Sequence, residues 1–192
     1  MAYSLPKKEN INLKRYAPYL LFIGRVSPTK NLEFIIKSLG KLDREIKINF
    51  LIAGPIQDKE YYERLNSLIL KYKLQDRIVF LGEVYGESKY ELIDNSLAVV
   101  LTSHFETEPL ILKEAMARGK SVIVSNISSL KYLVKNRENG FVVASEEEFV
   151  NAVISLLDNE GLVMKISRNN RARARGWAWG KICERILKVY RG

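Results

Sequence analysis

The sequence predicts an α/β chain built on a doubly wound parallel sheet, and three observations carry that prediction. Apolar runs of strand length recur, and the first three, YLLFIG (19–24), KINFLIAG (47–54) and DRIVFLG (76–82), each end in glycine. Helix-favouring stretches separate these runs at short intervals, as βα units require. The runs lack the polar alternation of a half-exposed strand, so both faces of each are expected to be covered.

Taken in order, residues 1–18 read as a polar, basic leader or linker ending at Pro18. YLLFIG is the first strand, Gly24 lets the chain turn at its end, and RVSPTKN leads into the helix LEFIIKSLGKL. Arg25 and Lys30 flank that strand end, where two cations can neutralise a diphosphate and a guanidinium can bind it bidentately. Solvated loop charges are the plain alternative. KINFLIAG is the second strand, stopped by Gly54-Pro55, and YYERLNSLILKYKL is an amphipathic helix. DRIVFLG, closed by Gly82, is the third strand. ESKYELIDNS gives a helix, LAVVLTS the fourth strand, and KSVIVS, after Gly119, the fifth. Asn139-Gly140 marks a turn. The helical stretches EEEFVNAVISLLDNE, LVMKISRNNRARARG and WAWGKICERILKVYRG complete the chain. Residues 19–176 thus read as one domain and 177–192 as a terminal helix. Arg168, Arg171, Arg173 and Arg175 are expected to spread charge around their helix rather than form one stripe. A solvated face is the default there, and an anionic membrane surface comes next.

The 192 residues are 47% hydrophobic, enough to core one such domain. The single cysteine, Cys183, excludes an internal disulfide framework and fits a reducing cytoplasm. With Ile182, Ile186 and Leu187 around it, its expected role is packing. No apolar run reaches membrane-spanning length, and the first ten residues lack a signal-peptide core. The formal net charge of +9 fits a nucleic acid, an anionic lipid or a phosphorylated substrate as partner. Neither an Asp-x-Asp pair nor a His/Cys cluster at metal spacing occurs, so no metal or cofactor is expected. His104, the only histidine, is read as a loop or packing residue.

The stretch SHFETEPLILKEAMARG (103–119) concentrates the candidate chemistry. Its loop offers Ser, Thr and Glu oxygens as caps, Pro109 suits a first helical turn, and Gly119 stops the helix. Glu106 lies in the loop and Glu114 on the helix, with seven residues between them. Glu114 shares a partly apolar face with Leu110, Ile111 and Ala117, and a carboxylate there needs partners. The hydroxyls of a sugar or a ribose diol can supply them, while amides at the helix start favour an anion such as phosphate. The bland alternative has Glu106 as a cap and Glu114 paired with Arg118 one turn on.

This spacing, Glu106, seven residues, Glu114-Ala115-Met116-Ala117, one residue, Gly119, resembles the signature of retaining glycosyltransferases of the two-domain GT-B fold, especially glycosyltransferase family four. Gly24-Arg25, four residues, then Lys30-Asn31 is similar to the family's Gly-Arg and Lys-Gly/Asn element. Arg77 to Gly82 resembles its Arg-Val-x-Phe-Leu-Gly segment, and Asn139-Gly140-Phe141-Val142-Val143 its Asn-Gly-Phe/Leu-Leu-Val element. The chain departs from the pattern at Ser128 to Lys131, where a glycine-rich loop followed by Glu is usual. It departs also at Thr107, commonly glycine, and at Glu108, commonly apolar.

The resemblance covers about residues 10–190 and implies a Rossmann-like domain, the donor-binding, C-terminal half of a GT-B enzyme. It implies transfer of a hexosyl group from a nucleotide-diphosphate-sugar donor to a carbohydrate or lipid-linked acceptor. An N-terminal acceptor domain or a partner subunit would supply the other half, with residues 177–192 closing the junction. Arg25 and Lys30 at Gly24 would hold the phosphates, and backbone around Phe80 to Val84, at Gly82, would meet the base. Glu106, Thr107, Glu108, Pro109 and Leu110 would surround the sugar and phosphates, and Glu114 the ribose. The expected location is cytoplasmic, with possible peripheral contact at the inner membrane face. The alternative is a non-catalytic nucleotide-sugar-binding module or partner subunit. A nucleic-acid partner is set aside for want of a reading motif. A sugar-nucleotide epimerase would be told apart by forming product without an acceptor.

Overall fold

The computed structural model describes residues 12–177 and 179–191. Six strands form one sheet: β1 (Tyr19–Ile23), β2 (Asn49–Ala53), β3 (Ile78–Gly82), β4 (Ala98–Leu101), β5 (Ser121–Ser125) and β6 (Phe141–Val143). Its order is β3-β2-β1-β4-β5-β6, and every neighbouring pair is parallel. The α-helices among the described residues are α1 (Leu32–Gly40), α2 (Lys59–Tyr72), α3 (Gly86–Asn95), α4 (Leu110–Ala117), α5 (Ser128–Lys131), α6 (Glu146–Asp158), α7 (Glu160–Ala174) and α8 (Trp179–Arg191).

The expected doubly wound parallel sheet is therefore what forms, with strands buried on both faces. Leu20, Leu21 and Phe22 of β1, Leu51 and Ile52 of β2, Val99 of β4 and Ile123 of β5 have no exposed surface. Helix α1 packs against α2 and α6, and α4 against α7. Side-chain caps fix three of the helix starts. Asp58 accepts from Tyr61 N at 2.9 Å, Ser145 from Glu148 N at 3.1 Å, and Asn159 from Leu162 N at 2.8 Å. Each such cap is worth about 1 kcal/mol.

Three differences from the sequence reading have local causes. The stretch after Asn139-Gly140 is a sixth strand, too short at three residues to carry a periodic signal of its own. Leu13 is buried, and Asn49 Nδ2 donates to Tyr16 O at 2.7 Å, so residues just before Pro18 lie on the domain. Residues 1–11 lie outside the described part. Cys183 is exposed rather than packed, because α8 makes its main contacts with the Arg175–Trp177 turn, and Ile186 and Leu187 beside it stay half exposed. No helix among the described residues is long and apolar enough to cross a membrane.

Candidate functional site

Strand order reverses between β1 and β4, and in such sheets the crevice outside the strands' carboxyl ends is where ligands bind. The two loops at this point carry Gly24 to Asn31 and Thr102 to Pro109, which hold most of the residues singled out from sequence. Direct bonds tie the loops together. His104 N donates to Thr29 O at 2.9 Å, and Thr102 Oγ1 to Asn31 O at 3.1 Å. Asn31 presents that carbonyl from a left-handed conformation (φ 50°) at the start of α1.

Lys30 and Glu106 meet across these loops. Lys30 Nζ lies 2.6 Å from Glu106 Oε1, and Ser103 Oγ donates to the same oxygen at 2.6 Å. The side chains of Lys30 and Glu106 are only 17% and 10% exposed. Two donors thus offset the desolvation of a carboxylate that would otherwise be costly to bury. Ser103 is held in turn, since its carbonyl accepts from Ser125 Oγ of β5 at 2.7 Å. Ser103, Thr102, His104, Asn31 and Ser125 line a cleft of about 300 Å³ toward β6.

Helix α4 begins one residue later than expected, at Leu110, with the buried Pro109 as its N-cap residue. No side-chain oxygen of the loop caps it, and of its first three amides only Leu112 N, which donates to Pro109 O at 3.1 Å, is taken up among the described residues. Ser103 is committed to Glu106, and the exposed Glu108 pairs with Lys113 instead. The amides of Leu110 and Ile111 therefore remain open to an anion. Thr107 is exposed, and Leu110 is 66% exposed.

Glu114 does not pair with Arg118. Its carboxylate accepts from Lys89 Nζ of α3 at 2.8 Å, with side-chain exposures of 22% for Lys89 and 33% for Glu114. Arg118 instead binds Asp94 of α3, which holds the Asp94 carboxyl below the ordinary range. Both bland readings of the two glutamates therefore give way to contacts from other elements. Arg25 is exposed and has no ion-pair partner among the described residues. The structure brings Lys30 and Glu106 together and sets Glu114 with Lys89 as a second pair.

Gly24 and Gly82 belong to a row that also includes Gly54, at the carboxyl ends of β1, β2 and β3. Gly54 N donates to Gly82 O at 2.7 Å, and Gly24 N to Ala53 O at 2.9 Å. Gly54 has φ +138°, and a Cβ on it would stand 1.9 Å from Gly24 O. In sequence Gly54 reads only as a strand stop; the strand-closing glycines repeated after β1 to β3 are the signal for the row. Ser103 reads in sequence as a cap, and Lys89 carries no signal.

The arginine run also differs from expectation. Arg168, Arg171 and Arg175, with Met164, line one cleft along α7, so three of the four arginines do share a stripe. Their steps of three and four residues match the helical repeat. Arg173 leaves the stripe and donates to Tyr132 O at 2.8 Å.

Known proteins share this fold. An uncharacterised glycosyltransferase of Methanocaldococcus jannaschii is 26% identical over 98% of this chain and 50% of its own length. Anabaena HepE, solved with UDP and glucose, shares the fold at a TM-score of 0.80, with 22% identity over 90% of this chain and 47% of that one. The C-terminal domain of the group 1 glycosyl transferase LpcC from Francisella tularensis is similar at a TM-score of 0.71. There the identity is 21%, over 81% of this chain and 83% of that one. The chain spans about half the length of the curated relatives it matches. It matches the family described as glycosyl transferases group 1 over residues 5–173, and with that match it belongs to the group 1 glycosyl transferases.

Proposed function

We propose that this chain is the donor-binding half of a retaining glycosyltransferase that passes a hexosyl group from a nucleotide-diphosphate-sugar to a carbohydrate or lipid-linked acceptor. The acceptor side would come from an N-terminal domain or a partner subunit. The observation that carries this reading is the Lys30–Ser103–Glu106 cluster at the sheet's switch point, beside the uncapped start of α4.

In this reading Arg25, without a protein counter-ion among the described residues, and Lys30 hold the diphosphate above Gly24. Open amides around Glu108 to Leu110 add their dipoles, and together these groups stabilise the charge that builds on the leaving diphosphate. Cations and a helix start do this work without a metal. Lys30 contributes from a fixed position, because Glu106 anchors its ammonium before the donor arrives. Glu106 keeps its second oxygen for sugar hydroxyls, and its charge favours positive charge developing at the anomeric carbon. Glu114 accepts from the ribose hydroxyls, with Lys89 holding its carboxylate. Backbone at Gly82 meets the base, and Thr107 and Pro109 shape the sugar's surroundings.

The experiment is calorimetric titration of the chain with UDP-, GDP- and ADP-sugars, using the parent, Arg25→Ala and Glu114→Ala. At least one donor is expected to bind the parent, and each variant is expected to weaken that binding about tenfold or more, as loss of a charge-assisted hydrogen bond requires. Unchanged affinities in both variants would remove these assignments.

A further inference from the structure

Most of the net positive charge of this chain lies in its C-terminal stretch. Residues 160–192 hold nine Lys and Arg against two Glu, so a net +7 of the chain's +9 lies in this one stretch. Within it, Met164, Ser167, Arg168, Arg171 and Ala172 of α7 and Arg175, just past its end, line a cleft of about 440 Å³. Arg168, Arg171 and Arg175 are exposed, and among the described residues none of them has an ion-pair partner. A set of surface charges that only solubilised the chain would not need to be unpaired and aligned at helical spacing on a concave face.

The surroundings raise the local potential further. Arg171 Nη2 donates to Arg118 O at 3.2 Å, which brings its guanidinium beside Arg118 and the end of α4. The nearby carboxylate, Asp94, is already bound by Arg118, and Lys120 Nζ donates to the Asp94 backbone at 2.8 Å. Burial holds the Lys120 ammonium below its ordinary range; Asp94 opposes that and the Arg171 charge adds to it. Arg118, Lys120 and Arg171 thus surround one acid, Asp94.

The cleft's position separates it from the carboxyl-edge loops. A Cβ on Gly119 would meet Arg171 Nε and Ser167 Oγ at 2.5 Å, and Gly119 leads into the first residue of β5. Arg171 and Ser167 therefore lie near the amino end of β5. Guanidinium groups suit phosphate oxygens because their planar forks bind them in pairs.

We infer that Arg168, Arg171 and Arg175 form a second anion site at the C-terminal part of α7 and the turn after it, one that takes a phosphate-bearing ligand. The ligand's phosphate lies across the three guanidiniums, and an apolar portion, where it has one, meets Met164, which is 62% exposed. This site stands independently of the donor reading, because none of its residues belongs to the carboxyl-edge loops.

The test uses sodium pyrophosphate by calorimetry and sedimentation with vesicles of phosphatidylglycerol and phosphatidylcholine. Arg25→Ala/Lys30→Ala removes the candidate donor phosphate contacts, so pyrophosphate binding that persists in it reports on α7. In that background, Arg168→Ala/Arg175→Ala is expected to weaken binding about tenfold or more. It leaves the Arg171 bond to the α4 end intact, and an unchanged melting temperature shows that the fold is retained. Arg168→Lys/Arg175→Lys is expected to recover only part of the loss, because lysine lacks the fork. Pyrophosphate binding without vesicle binding identifies a soluble phosphate ester as ligand, and anionic-vesicle binding lost in the alanine variant identifies a lipid headgroup. If neither probe distinguishes the alanine variant from its background, the site is overturned.

Discussion

Gly54→Ala tests whether the carboxyl ends of β1 and β2 are held together by backbone-to-backbone contact. A methyl group there would stand 1.9 Å from Gly24 O and 2.7 Å from Gly24 C. Those atoms belong to the main chain at the end of β1, so no side-chain rotation can relieve the overlap. The positive φ of 138° adds strain for any residue with a Cβ. Backbone strain costs about 1–3 kcal/mol, and forcing the packed main chain apart costs about 1–3 kcal/mol more. Gly86→Ala supplies the comparison, since Gly86 has φ +56° but a methyl group on it would meet nothing within 4 Å. Strain alone there costs about 1–2 kcal/mol. For a chain of this length each kcal/mol moves Tm by about 2–4 °C, so Gly54→Ala should melt roughly 10 °C below the parent and Gly86→Ala roughly 4 °C below it. The assay is thermal unfolding by circular dichroism, repeated in urea to compare midpoints at constant slope. Equal destabilisation in the two variants would refute the argument, because it would leave no cost for the Gly24 contact.

Lys30→Ala should destabilise the chain by about 1–3 kcal/mol, because it leaves the nearly buried Glu106 short of its cation, whereas the exposed Arg25→Ala should change stability by less than about 0.5 kcal/mol. Urea midpoints for the two variants decide it, and similar losses would contradict the contact network. Tyr19→Phe should cost about 1–2 kcal/mol by leaving Leu92 O without the hydroxyl that donates to it at 2.7 Å, measured by the same unfolding. Burial, then the charges of Glu91 and Asp94, raises the Tyr19 phenol above its ordinary 10.0. Its contribution is therefore complete below pH 10.0 and lost as pH climbs through the higher folded value, so the parent and Tyr19→Phe should converge at high pH. Asp94 has the opposite sign. Its hydrogen bond from Arg118 lowers its pKa, so its contribution is present above the ordinary 3.8 and fades as pH falls through the lower folded value. With its side chain 43% exposed, screening leaves about 0.5 kcal/mol, which Asp94→Asn should remove at pH 7 and not in strong acid.

Much of the fold could be read from local pattern. The apolar runs at β1 to β5 have the length and composition of buried strands, and each of the first three closes on a glycine that ends up in one row. The Glu106 to Glu114 spacing placed one carboxylate in a loop and the other on a helix, as observed. Strand β6 escaped because three residues cannot express a period. The arginine face of α7 was hidden although its spacing was present in the sequence. Arg173 falls outside the steps of three and four, so the four residues taken together show no stripe, while the other three align.

What the sequence determined by itself was the βα alternation, the turn positions and which residue types arrive at each strand end, since these depend on neighbours a few positions apart. The partners of those residues were decided by tertiary structure. Lys30 reaches Glu106 across 76 positions because β4 settles beside β1, and Lys89 takes Glu114 from Arg118 because α3 lies against α4. Gly54 has no room for a Cβ because β2 brings it onto the Gly24 carbonyl. Contacts of this kind follow from sheet order and register, which bring together residues far apart in the chain that no local pattern pairs in advance.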